Sequence, residues 1–98
     1  MGYRIIGYAT TPIEIAKLLQ IRRYELGISG DVLGNIAGLA DRHLSKIECG
    51  TKGLGGMSLP TLLTALGCQL VLVADDEKLP KVVKNYVDTI KSSVQAET

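Results

Sequence analysis

Ninety-eight residues, 46% of them hydrophobic and 21% charged, make one ordinary globular domain, large enough to bury a modest core but not two. Four tyrosines with no Trp or Phe leave Leu, Ile and Val to build that core, and a net charge of +1 by itself points to no class of partner. The longest strongly apolar run, LVLVA at 70–74, falls far short of the ~20 residues that span a bilayer.

Residues 1–10 are an N-terminal extension in which YRIIGY, at 3–8, is short and β-prone. Thr11 suits an N-cap and Pro12 the first helical position. Ile15, Ala16, Leu18, Leu19 and Leu26 then recur at helical spacing until Gly27 ends the helix. Ser29 is expected to cap a second short helix that buries Val32, Leu33, Ile36 and Ala37. Gly38-Leu39-Ala40 reads as a tight turn of three residues, and a third helix runs on through Cys49 to Gly50. TKGLGG at 51–56 is a glycine-rich connection. Ser58 is expected to cap a fourth helix, with Pro60 near its start and Leu59, Leu62, Leu63 and Leu66 facing inward. Gly67 stops it.

CQLVLVADD then changes character. Leu70 and Leu72 alternate with Val71 and Val73, which predicts a strand over Gln69–Val73. A solitary strand leaves backbone groups unpaired. Its partner is either residues 3–8 or, more economically, the same strand of a second copy, paired antiparallel about a two-fold axis. The tail, LPKVVKNYVDTIKSSV, predicts an amphipathic helix. Leu79, Val82, Val83, Tyr86, Val87, Ile90 and Val94 share one stripe, with Lys81, Lys84, Asp88 and Lys91 away from it. That stripe suits the chain's own core, a dimer mate or a different protein.

LADRHLSKIECG, at 39–50, carries the densest set of polar side chains on a short helical run. At helical pitch Ala40, Leu44 and Ile47 form one stripe. Arg42, Ser45, Lys46 and Cys49 lie nearly opposite, with Asp41 and His43 on the flanks. Two cations on a helix face commonly mark only its wet side. Here, however, a short helix and a glycine-opened turn precede them, which is the helix-turn-helix arrangement whose second helix enters a major groove. Over positions 17–52 the cations Lys17, Arg22, Arg23, Arg42, Lys46 and Lys52 exceed the acids Glu25, Asp31, Asp41 and Glu48 by only two. An electrostatic case for nucleic acid therefore rests on where the charges point.

SGDVLGNIAGLADRHLSKIECG resembles the DNA-binding domain of the Xre/Cro family of bacterial and phage repressors. Ser29, Leu33, Ile36, Ala37, Gly38, Leu44, Ile47, Glu48 and Gly50 stand where that family's pattern puts them. With MSLPTLLTALGCQLVLVADD added, the chain is similar to the HipB-like antitoxin branch over about residues 11–76. The resemblance implies a mostly α, lambda-repressor-like helix-turn-helix bundle of four to five short helices. One β-strand with intersubunit pairing and a C-terminal amphipathic helix would follow. It divides the chain into a helix-turn-helix domain at 11–66 and a dimerisation strand with C-terminal helix at 67–98.

The resemblance also implies roles. Asp41, Arg42 and Lys46 match residues that reach base edges, with His43 and Ser45 beside them. Arg23 and Glu48 match an ion pair tying the first helix to the recognition helix. A guanidinium can bond both acceptors of guanine, so Arg42 is the expected base reader, with Lys46 and Lys52 on phosphates. Ser29 and Gly30 open the helix that meets the backbone. Two positions depart from the pattern. Gly30 replaces the usual Gln, leaving only backbone N–H groups for a phosphate. Gly34 replaces the common Ala, at a helix-propensity cost of roughly 1 kcal/mol.

The partners implied are double-stranded DNA, a second copy of the chain in a homodimer, and, in the antitoxin alternative, a HipA-like toxin. No basic segment followed by an apolar stretch opens the chain, and MGYRII lacks the Ser or Thr of a myristoylation signal. The expectation is a cytoplasmic, nucleoid-associated protein with no membrane partner. Cys49 and Cys68 form no CxxC pair, and His43 is the sole histidine, so neither a zinc site nor a disulfide framework is expected. No His–carboxylate pair is arranged to activate a nucleophile, and GLGG at 53–56 lacks the strand and Lys of a phosphate loop. We therefore expect no enzyme activity and no cofactor.

Overall fold

A computed structural model describes residues 2–97, with side chains through Ser92. Helix α1 spans Pro12–Leu26, α2 Gly30–Ile36, α3 His43–Glu48 and α4 Ser58–Leu66. A 3-10 turn at Asp76–Lys78 precedes α5, Lys81–Glu97.

Local chemistry sets the ends of these helices. The Thr11 hydroxyl accepts the Glu14 N–H and donates to the Glu14 carboxylate, which also accepts from the Thr10 N–H and hydroxyl. This satisfies donors that the first turn of α1 would otherwise orphan. Gly27 closes α1 at φ 69°, a left-handed conformation that costs a residue without a Cβ little. The Ser29 hydroxyl caps α2 by accepting the Val32 N–H at 3.2 Å. Ser58 does not cap α4. It is the first helical residue, and its buried hydroxyl instead accepts the Gly55 N–H at 2.9 Å, folding the glycine-rich loop back onto the helix start.

One residue pair or fewer from each helix closes the core: Ala16 and Leu19 of α1, Leu33 of α2, Leu44 and Ile47 of α3, Leu62 and Leu66 of α4. Leu33, Leu62 and Leu66 are each 1% exposed, worth roughly 1.5–3 kcal/mol apiece by area removed from water. The expected burial of Val32 and Ile36 is corrected, because they are 50% and 63% exposed. A seven-residue helix offers one inward line, taken by Leu33 and Ala37 four residues apart, and Val32 and Ile36 sit one residue off it.

The chain is mostly helical and forms a small helical bundle, but the strand expected at Gln69–Val73 is absent among the described residues. A strand exists through ladder hydrogen bonds, and among the described residues neither 3–8 nor any other segment makes them with 69–73. Leu70, Val71, Leu72 and Val73 stand 56–101% exposed in an irregular connector. Among the described residues, no buried or half-buried hydrophobic beyond Cys68 belongs to the core or packs against it. The Cα radius of gyration, 19.0 Å, accordingly exceeds the ~13 Å of a compact domain this long. The apolar stripe of α5 carries Val82, Val83, Tyr86, Val87 and Ile90 as expected, whereas Val94 lies outside the described side chains. No described helix is long and apolar enough to cross a membrane.

Candidate nucleic-acid interface

Helix α3 is six residues long and would not persist alone, so everything about it depends on how the bundle holds it. Leu44 and Ile47 anchor its inner side, 6% and 3% exposed. Its last residue, Glu48, is held by Arg23 of α1 through two bonds of 2.8 Å, Nε to Oε2 and Nη2 to Oε1. The remaining Arg23 nitrogen, Nη1, donates to the Ile28 carbonyl at 2.9 Å, so one guanidinium joins α1, the α1–α2 turn and α3. Gln20 adds a longer contact to Glu48, 3.4 Å. Donating to the Glu48 carboxylate holds the Arg23 pKa above its ordinary value. This fork-on-fork geometry fixes the helix in rotation as well as position.

The start of α3 differs from expectation. Residues 37–42, rather than a three-residue turn, join α2 to α3, and Asp41 and Arg42 precede the helix. The His43 N–H donates to the Ala40 carbonyl at 3.0 Å, and this turn sets Arg42 at φ 64°, the one non-glycine residue with positive φ among those described. A left-handed arginine is sparsely populated and costs on the order of 1 kcal/mol. Arg42 therefore does not sit one turn above Lys46 on a shared helix face. Its carbonyl accepts the Lys46 N–H at 3.1 Å, while its exposed side chain leaves from the corner ahead of the helix. Nothing in the sequence marks this corner except the polar Asp41-Arg42 pair itself.

The groove between α2 and α3 brings Gly30, Asp41, Arg42 and Ser45 together, with Asp31 and Asn35 on the same wall. Ser29 stands at its rim as the α2 cap. A Cβ on Gly30 would meet nothing closer than the Arg23 guanidinium carbon at 4.0 Å, so the position has room for a side chain it lacks. His43, half-buried, opens α3, and Ser45 is exposed. Lys46 and Lys52 are exposed and tied together by the backbone, the Lys52 N–H donating to the Lys46 carbonyl at 3.1 Å.

The arginines of the other elements are committed within the molecule. Arg4 pairs with Glu25 at 2.8 Å, and Arg22 reaches Glu25 at 3.6 Å while its Nε caps α4 at the Leu66 carbonyl. Among the described ion pairs none uses Arg42, Lys46 or Lys52. Three of the exposed cations thus flank α3, Arg42 ahead of it and Lys46 and Lys52 at and beyond its end, with the carboxylate of Asp41 beside Arg42. Cys49, at the end of the same helix, is exposed, and its Sγ lies 3.0 Å from the Thr51 hydroxyl. That hydrogen bond draws the thiol pKa below its ordinary value.

No family model matches the chain, and no curated protein matches it.

Proposed function

We propose that the chain is a sequence-specific DNA-binding transcriptional regulator, with α2 and α3 as a helix-turn-helix unit in a lambda-repressor-like bundle. It acts as a homodimer on a palindromic operator with half-sites about one helical turn (~34 Å) apart. The observation that carries this reading is the mounting of α3. Leu44, Ile47 and the Arg23–Glu48 pair hold it rigidly from behind, while Arg42, Ser45, Lys46 and Lys52 face solvent around it. A helix presented in this way fits a major groove about 12 Å wide.

In this reading Arg42 reads guanine from the corner ahead of the helix. Asp41, His43 and Ser45 stand beside the bases, and Lys46 and Lys52 neutralise phosphates. With Gly30 in place of a longer side chain, Ser29 and the first α2 backbone N–H groups carry the second backbone contact. The apolar arm that includes Gln69–Val73 supplies contact between the two copies. Selection of bound fragments from genomic DNA, followed by titration of the recovered site, tests the proposal. Unchanged affinity on replacing both Arg42 and Lys46 by Ala overturns it. Co-purification in the same experiment tests the antitoxin alternative, which requires a HipA-like toxin bound to the same chain.

A further inference from the structure

Among the described residues, helix α5 adds no hydrophobic side chain to the core of its own chain. It is seventeen residues long, and Val82, Val83, Val87, Thr89 and Ile90 are β-branched, with weak intrinsic helix preference. An amphipathic helix of this composition draws most of its stability from packing its apolar face. Yet Val82, Val83, Tyr86 and Ile90 are 80%, 41%, 68% and 45% exposed, and among the described residues no buried or half-buried hydrophobic beyond Cys68 packs on the core. Something must cover this stripe.

We infer that a second copy of the chain covers it, the stripe Val83–Tyr86–Ile90 of one α5 packing on the same stripe of the other. The accessible surface is the first reason. The chain exposes 7851 Å². A compact monomer of 10.5 kDa exposes about 5,400 Å², so the excess is about 2,400 Å². Obligate homodimers bury about 1,000–2,500 Å² per chain, which is the same size. The second reason is the pattern. Leu79, Val83, Tyr86 and Ile90 follow one another at alternating intervals of four and three, with the β-branched Val83 and Ile90 at the positions that favour a two-stranded pair.

Charge supplies the third reason. Positions that flank such a seam hold Pro80, Val82, Val87 and Thr89, none of them charged, while Lys81, Lys84 and Asp88 lie on the far side. Two copies therefore meet without like-charge repulsion, and a strongly charged partner finds nothing on the seam to grip. The exposed Leu70–Val73 connector lies upstream of this helix, beyond the 3-10 turn Asp76–Lys78.

This deepens the homodimer part of the proposed function but does not depend on DNA binding. The test is sedimentation equilibrium of the full chain and of a Val83→Lys/Ile90→Lys variant. The wild type should be dimeric at micromolar concentration. The variant's dissociation constant should rise by on the order of 100-fold or more, because an unpaired ammonium is strongly disfavoured in an apolar seam. Circular dichroism should retain the α1–α4 signal, and amide exchange at 82–92 should lose protection in the variant alone. A monomeric wild type, or a variant as dimeric as the wild type, overturns the inference. So does a monomer that forms a stoichiometric complex with a different protein through α5. A dimer that binds no DNA leaves the inference standing and removes the DNA reading instead.

Discussion

Arg23 and Glu48, twenty-five residues apart, meet in two parallel 2.8 Å hydrogen bonds with their side chains only 10% and 12% exposed. The pair is the one charged link between α1 and α3, the helix that carries the candidate DNA contacts. Taking away one partner leaves the other charge largely covered and uncompensated. Arg23→Met should therefore destabilise the domain by about 3 kcal/mol, whereas Arg23→Met with Glu48→Leu should recover most of the loss. Urea unfolding of both single variants and the double variant closes the cycle. Single variants within about 0.5 kcal/mol of wild type would show that the pair does not anchor α3.

Arg42 separates stability from binding. At φ 64°, it holds a conformation that glycine adopts freely. Arg42→Gly should leave the fold as stable as wild type or stabilise it by up to about 1 kcal/mol. The same change should weaken operator binding by ~1–3 kcal/mol and relax the preference at one base pair. Paired melting curves and titrations check this, and a destabilised Arg42→Gly would show that the arginine side chain supports the fold.

Lys52 lies in the loop after α3, joined to Lys46 through the backbone. Its expected role is a phosphate contact. Lys52→Ala should weaken binding evenly across sequences and lower the slope of log affinity against log salt by about 1. Titrations at several salt concentrations, on operator and random duplexes, read both effects. An altered base preference with an unchanged slope would contradict the assignment.

Glu14 gives the fold a pH dependence of known sign. Hydrogen bonds from Thr10 and Thr11 hold its carboxyl below the ordinary value of 4.5. A carboxylate with a lowered folded pKa stabilises above its unfolded value and loses that contribution as pH falls through the folded one. The stability gap between wild type and Glu14→Gln should thus be full near neutrality and close as pH drops below 4.5. Urea unfolding across the acid range measures it, and a gap that persists undiminished at low pH would contradict the hydrogen-bond assignment.

Cys49 should be the faster of the two thiols towards iodoacetamide, being exposed where Cys68 is half-buried. The Thr51 hydroxyl lowers its pKa, so more thiolate is present at a given pH. Thr51→Val should slow Cys49 alkylation and leave Cys68 unaffected. Mass spectrometry after timed quenching distinguishes the two sites.

Short-range chemistry wrote itself into the sequence wherever one residue acts on its near neighbours. Thr11, Gly27, Ser29 and Gly67 bound their helices as their side chains, or lack of them, dictate. The spacing of Leu44 and Ile47, and of Leu62 and Leu66, marked the inner faces of α3 and α4, because helical pitch alone selects them. Ser58 has the residue type of a cap but does not act as one, because its hydroxyl turns back to the glycine loop, a contact that depends on the loop's path.

The rest belongs to tertiary structure. Resemblance implies the Arg23–Glu48 pair, but its two-bond geometry and its link to Ile28 depend on how α1 crosses α3. Arg42 moved off the helix because the closure of the turn at Ala40–His43, rather than helical periodicity, sets its backbone. Gln69–Val73 has the alternation of a strand and yet forms none, since a ladder requires a second segment and no described segment bonds to it. By itself the sequence determined which residues face inward along α3 and α4, a matter of local period. Only the packed bundle decided which way the cations around α3 point, because that depends on what holds the helix from behind.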